Sequence, residues 1–300
     1  MADVNQHTMQ DPREQYPQPD IPKNQIQSEP GDEATLTPSA DHGDATYEGA
    51  GRLTGRKAVV TGGDSGIGRA VAIAYACEGA DVAIICLPEE TEDAQKTLDL
   101  IAAAGQKGIA IAGDIKDEAF CESAIKQAVD ELGSIDILVN NAGKQEFREN
   151  IEDLTTEQFE DTFKTNVFAM FWLTKASLPH MPAGAAVINT TSIQSYQPSP
   201  GLLDYASSKG AITSFTKGLS QMLIEKGIRV NAVAPGPVWT PLQTSHGQPP
   251  EKFEKFGTDT PMGRMAQPAE LAPTYVFLAS QESSYITGEV IGVTGGNPIS

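Results

Sequence analysis

The sequence predicts an α/β domain built on a doubly wound, Rossmann-like parallel sheet, preceded by an extended N-terminal tail. Three observations carry this. From Gly55 onward, short apolar runs alternate with longer amphipathic stretches. The runs are apolar at successive positions, so both faces of each strand are covered, as in a parallel sheet flanked by helices. A glycine cluster, TGGDSGIG, joins the first run to the first amphipathic stretch, which is where such folds hold a dinucleotide.

The elements follow in order. KAVVTG (57–62) reads as a strand and GIGRAVAIAYACEG (66–79) as a helix stopped by glycine. DVAIICL (81–87) is a strand. ETEDAQKTLDLIAAAG (90–105) is a helix that opens acidic, which suits its N-terminal dipole. KGIAIAGD, DEAFCESAIKQAVDELG and IDILVNNAG continue the alternation to residue 143, and TTEQFEDTFKTNVFAMFWLTKASL (155–178) predicts one long helix. AAVINTTS, DYASSKGAITSFTKGLSQMLIEKG and IRVNAVAPG repeat the strand–helix–strand unit, and PAELAPTYVFLAS with EVIGVTGG closes it. No internal repeat or second domain is visible, so the division is a tail or arm, 1–52, and a domain, 53–300.

The tail holds Pro12, Pro17, Pro19, Pro22, Pro30 and Pro38, but only Val4, Ile21, Ile26 and Leu36 as branched aliphatics. So little apolar surface does not offset ordering entropy, which predicts disorder. The alternative is an extended arm anchored through Ile21, Ile26, Leu36 and Tyr47, favoured by runs such as QYPQPDIP.

The 300 residues carry a formal charge of −19. That opposes nucleic acid and anionic membranes, both of which need a basic surface. Cys77, Cys86 and Cys121 lack metal or redox spacing, and the four histidines are scattered. No metal site and no Ser–His–Asp triad are expected. Without a signal pattern or a long apolar span, the expected location is cytoplasmic.

The chemistry concentrates in TTSIQSYQPSPGLLDYASSK, residues 190–209. A tyrosine serves as acid or base near neutral pH only if its pKa of about 10 is tuned, and a cation four residues on along a helix does this. Tyr205 has Lys209 at that spacing. The other tyrosines have Asp20, Gly51, Gly79, Pro200, Ala279 and Glu289 there. At the glycine loop, Gly62, Gly66 and Gly68 together allow a tight turn, a close approach to a pyrophosphate and close helix–strand packing, and the helix amides hold the anion.

Taken together, residues 55–296 resemble the short-chain dehydrogenase/reductase family, in the branch with TGxxxGxG and YxxxK. The resemblance rests on Thr61–Gly68, the NNAG run Asn140–Gly143, Asn166 in KTNVF, Ser192, Tyr205, Lys209 and Pro235-Gly236, in the family's order and spacing. GGDSGIGRA, CLPEE, SIQSYQPSP and APGPVWT, together with the tail, are similar to bacterial members of the glucose/ribitol dehydrogenase-like and aldehyde-reductase-like kind.

The resemblance implies a hydride transfer between NAD(P)(H) and a small alcohol or carbonyl. Ser192, thirteen residues before Tyr205, holds the substrate oxygen. Tyr205 gives or takes its proton, Lys209 tunes Tyr205 and holds the ribose, and Asn166 supports a water-linked proton path. Gly62, Asp64, Ser65, Gly66, Ile67, Gly68 and Leu87 are implied to hold the cofactor. So are Asp114 and Ile115 at the adenine, Asn141, Ala142 and Gly143, and Pro235, Gly236, Val238 and Thr240.

The usual NAD-selecting acid at the second strand's end is replaced by Cys86, and the NADP-selecting base by Leu87. Arg69 is the candidate for a 2′-phosphate, and Glu89 and Glu90 would oppose one. With no carboxylate ending the strand, the reading leans to NADP over NAD. The variable segment from Trp239 to Met265 is the expected substrate lid. Lys144, Gln145, Gln194, Tyr196 and Trp239 are candidate lining residues, and the glutamines suit a sugar, polyol or small aldehyde. A homotetramer is implied. The competing reading is a sensor or interaction protein that keeps the fold without turnover.

Overall fold

The computed structural model of the chain describes residues 6–16, 21–22 and 25–300. Seven parallel strands form one sheet in the order β3-β2-β1-β4-β5-β6-β7. They are β1 (Lys57–Thr61), β2 (Asp81–Cys86), β3 (Gly108–Ala112), β4 (Ile137–Asn140), β5 (Ala186–Thr190), β6 (Arg229–Pro235) and β7 (Val290–Val293). The order reverses between β1 and β4, which pair in the register Val59↔Leu138. That reversal opens a crevice at the carboxyl ends of the strands, where ligands bind in such sheets.

Successive strand residues serve opposite layers, the period-two rule of a pleated strand. Val60, Val82 and Ile84 pack under α1 (Gly66–Cys77), α2 (Thr91–Ala103) and α7 (Ala272–Ala279). Val59, Ile85 and Leu138 pack under α3 (Glu118–Leu132) and α5 (Ala169–Ser177). α4 (Thr156–Phe163) and α6 (Leu203–Leu223) complete the second layer. Local signals set the boundaries: the Asp117 side chain accepts from the Ala119 amide to start α3, and Gly133, with φ of 92°, ends it.

The segment predicted as one helix is interrupted. Between α4 and α5 lies a π turn, Lys164–Phe168, which carries Asn166 into the interior. Such turns insert one residue into the helical ladder and re-aim side chains.

The described part of the tail is an arm laid on the domain. Ile21 and Leu36 are buried in a separate apolar cluster with Trp239, Phe253 and Met265. Polar bonds fasten it further: Trp239 Nε1 donates to the Pro38 carbonyl at 2.8 Å, and Arg264 Nε to that of Pro12 at 2.9 Å. Tyr47 donates to Glu78 at 2.7 Å. Ile26, expected as an anchor, is 53% exposed; its neighbour Gln27 ties down this stretch instead, donating its amide to the Thr244 carbonyl at 3.0 Å. Val4, Pro17 and Pro19 lie outside the described residues. Among the described residues no helix is long and apolar enough to cross a membrane.

Candidate active site

The strand ends bring the predicted groups to one cavity of about 520 Å³, within the range of small-molecule sites. Its floor is the phosphate loop. Gly62 has φ of +62° and Gly66 of +50°, conformations that glycine adopts without penalty. A Cβ on Gly62 would stand 3.2 Å from the Ala142 backbone, and one on Gly66 3.0 Å from the Thr240 side chain. The Thr61 hydroxyl accepts from the Asn141 and Ala142 amides, both at 2.9 Å, locking the end of β1 to the end of β4.

β5 ends at Thr190, and Ser192 follows as the cap of a single 3₁₀ turn, accepting from the Gln194 amide at 3.2 Å. The first two turns of α6 present Tyr205 and Lys209, both nearly inaccessible. Lys209 Nζ donates to the Thr190 carbonyl at 2.9 Å and stands 5.3 Å from the centre of the Tyr205 ring. Burial pushes the Tyr205 phenol up to about 12, opposed by its hydrogen bond with Ser192. Burial pushes the Lys209 ammonium down to about 7. Burial is the largest cause of both shifts, as it is where two titratable groups leave water together.

Asn166 stands behind this group. Its Oδ1 accepts from the Lys144 amide at 2.7 Å, and its Nδ2 donates to the Lys144 carbonyl at 3.0 Å and to Ser208 at 2.9 Å. The side chain thus clamps the backbone that follows Gly143.

Asp64, Ser65, Ile67, Leu87, Asp114, Ile115, Asn141, Ala142, Gly143, Pro235, Gly236, Val238 and Thr240 line the same cavity. Gln145 and Gln194 line it too, with Gln145 Nε2 bound to the Gly247 carbonyl at 2.6 Å. Four candidates stand elsewhere, Tyr196 among them. Gly68 is at the helix–strand contact, where a Cβ would overlap the Gly62 carbonyl at 1.8 Å. Trp239 is wholly buried under the arm, clustered with Ile21 and Leu36 and bonded through its indole to the Pro38 carbonyl. Arg69 turns away from the cavity to bond the Asp64 carbonyl at 2.8 Å and the Asp93 carbonyl at 3.0 Å.

Sequence reasoning did not find Glu29 and Pro30, which line the cavity mouth from the arm. Glu29 pairs with Lys144 at 2.5 Å across 115 residues, a separation at which no spacing signal exists. It also missed the carbonyl of Thr190, since a backbone acceptor leaves no mark in residue type.

The dinucleotide fits this cavity by two features: the glycine cradle of Gly62 and Gly66 at the start of α1, and the buried carboxylate of Asp64 in its wall, an acceptor for hydroxyls. The family model described as enoyl-(acyl carrier protein) reductase matches residues 62–297. The glucose and ribitol dehydrogenase of Daucus carota is 47% identical over 281 residues, covering 92% of this chain and 96% of the relative. NADPH-dependent aldehyde reductase 1 of Arabidopsis thaliana is 43% identical, covering 91% and 97%. Among solved structures, a short-chain dehydrogenase from Burkholderia cenocepacia in complex with NADP superposes with a TM-score of 0.77 at 32% identity, covering 82% of this chain and 98% of that one.

The chain belongs to the short-chain dehydrogenase/reductase family and is an oxidoreductase of that family. Its cofactor is a nicotinamide dinucleotide, NADP or NAD.

Proposed function

We propose that the protein interconverts a small, neutral, polar alcohol and its carbonyl, of the sugar, polyol or aldehyde class, with Tyr205 as the proton donor and acceptor. One observation carries the reading: the cavity joins Ser192, Tyr205 and Lys209 at one end to an open dinucleotide cradle at the other. The bound nicotinamide supplies or accepts the hydride at the substrate carbon. The protein's own part is geometry and proton control. Ser192 holds the substrate oxygen by a hydrogen bond and stabilises charge developing there. Tyr205, kept protonated by burial, delivers its proton to that oxygen during carbonyl reduction and receives it during alcohol oxidation. Lys209, oriented by the Thr190 carbonyl, fixes the cofactor ribose and shares the proton with Tyr205. Asn166 holds the Gly143–Lys144 backbone against the site.

A neutral substrate is supported by the charges in the wall. Lys144 is matched by Glu29, Glu146 and Asp161, and Lys116 by Asp114 and Asp161. Lys209 is engaged as above, and among the described residues no arginine lines the cavity. A carboxylate or phosphate on the substrate would meet no unmatched cation. Gln145 and Gln194 offer amides suited to hydroxyls. The relatives named for glucose, ribitol and aldehydes act on compounds of this kind, as their names say. The assembly we propose is a homotetramer formed by this chain.

The test follows nicotinamide absorbance with small aldehydes and polyols for the wild type and Tyr205→Phe. Turnover is expected to fall by about 10²–10⁴ in the variant, with dinucleotide affinity kept. Equal rates in the two proteins would remove Tyr205 from the proton step.

A further inference from the structure

The arm crosses the mouth of the cavity and ties three of its walls together. At residue 27 it meets the segment expected as the substrate lid, the Gln27 amide donating to the Thr244 carbonyl at 3.0 Å. At residue 31 it packs on the same segment, where a Cβ on Gly31 would stand 3.0 Å from the Pro241 side chain and 3.2 Å from that of Ser245. At residue 33 it reaches the start of α1, where Glu33 accepts from the Gly66 amide at 2.8 Å. Between these points Glu29 and Pro30 line the cavity, and Glu29 pairs with Lys144, the residue after the NNAG run. The Gln27 side chain accepts from the Asp32 amide, so the crossing is a closed loop rather than a slack thread.

The fastenings differ in kind. Ile21 before the crossing and Leu36 after it are buried with Trp239, an apolar attachment that dissolved ions do not screen. The Glu29–Lys144 pair is the polar fastening over the cavity itself. The Lys144 side chain is 14% exposed and that of Glu29 39%, so water and ions reach the carboxylate and weaken the attraction. Lys144 also stands 3.3 Å from Asp161 and 3.8 Å from Glu146, and Asn166 grips its backbone. Its ammonium therefore keeps its place when Glu29 lets go. The wall stays and the strap moves.

We infer that the arm sets the size limit for substrates: residues 27–33 are a strap that holds the lid across the mouth, and Glu29 is a specificity-determining residue that fastens the strap to Lys144. The inference rests on the reading of the Ser192–Tyr205 end of the cavity as the site of a small alcohol or carbonyl. With the strap fastened, Glu29 and Pro30 occupy part of the mouth, beside Leu242 and Gln248 of the lid segment, which suits a short polyol or aldehyde. With it loose, the lid loses a tether at Thr244 and a bulkier carbonyl enters. Lids of this kind govern which substrates reach the reacting groups; here the tether comes from the other end of the chain.

The test compares glyceraldehyde with a naphthaldehyde, as the ratio of their kcat/KM values, in full-length wild type, Glu29→Gln and Glu29→Ala. Glu29→Gln should lower the preference for the small aldehyde about two- to fivefold, the range of one partly exposed ion pair. Glu29→Ala also removes bulk from the mouth and should lower it about tenfold, chiefly through the KM of the bulky aldehyde. Raising salt from about 0.05 M to about 0.5 M should move the wild-type ratio toward that of Glu29→Gln and leave the variant's unchanged. Hydrogen exchange needs no turnover: the Gln27 amide should exchange about two- to fivefold faster in Glu29→Gln than in the wild type. Equal exchange in the two proteins would overturn the strap, and an equal substrate ratio would overturn the size limit. If the wild type reduces neither aldehyde, the proposed substrate class fails and the size limit with it, whereas faster exchange at Gln27 would still support the strap.

Discussion

At the scale of single residues, Lys209 joins the site to the stability of the fold. Its ammonium falls to about 7 on burial, against about 10.5 in an unfolded chain. Between those values the unfolded chain keeps the proton and the native one does not, so stability rises with pH across that window. Below it both states are protonated, and the cost of the buried charge is complete. Lys209→Met should therefore melt higher than the wild type by roughly 5 °C near pH 6, and the gap should shrink near pH 9. Calorimetry without ligand at the two pH values checks this; a gap that does not change would mean Lys209 is not the titrating group. Tyr205 and Lys209 were legible in the sequence because one turn of helix fixes their spacing. The balance of their pKa values was not, since it depends on how much water the completed fold leaves at Thr190 and Ser192.

At the scale of elements, the arm acts on α1. Ser65 makes no side-chain capping bond at the start of that helix. Glu33 of the arm instead accepts from the Gly66 amide at 2.8 Å, stands 3.3 Å from His42, and anchors its own amide on Asp93 at 3.0 Å. A carboxylate at a helix N-terminus both caps it and opposes its dipole. Glu33→Ala should cost about 1–2 kcal/mol of stability, read as a lower midpoint in urea with an unchanged slope. A midpoint within error of the wild type would make the contact idle. Nothing in the tail's composition pointed to this cap, because its partner is residue 66 and its support is residue 93. The strands, by contrast, were readable from their own residues, being apolar on both faces. The π turn at Lys164–Phe168 was not, because KTNVF has the composition of ordinary helix and Asn166's bonds to Lys144 and Ser208 form only in the completed fold.

At the scale of the molecule, a chain carrying a charge of −19 repels its own copies, so association requires apolar surface. α4, the π turn and α5 leave Phe159, Phe168 and Phe171 exposed, and α6 leaves Met222. Phe159 stacks on Phe163 with ring centres 4.8 Å apart, stiffening that surface. If the tetramer forms through these helices, Phe168→Glu combined with Phe171→Glu should reduce the assembly to dimers or monomers in sedimentation at micromolar concentration. A tetramer that survives the double substitution would place the contact elsewhere.

The arm also sets an order in time. Its bond from Pro38 to Trp239 spans 201 residues, and that from Pro12 to Arg264 spans 252. At about 5–20 residues per second of synthesis, the arm waits roughly 10–50 s before its binding groove exists. During that wait Ile21 and Leu36 have no partners. A segment rich in proline and poor in branched aliphatics can wait in water without sticking to other chains. The composition that reads as disorder is thus what lets a newborn chain hold its arm in reserve until the segment that carries Trp239 and Arg264 has been made.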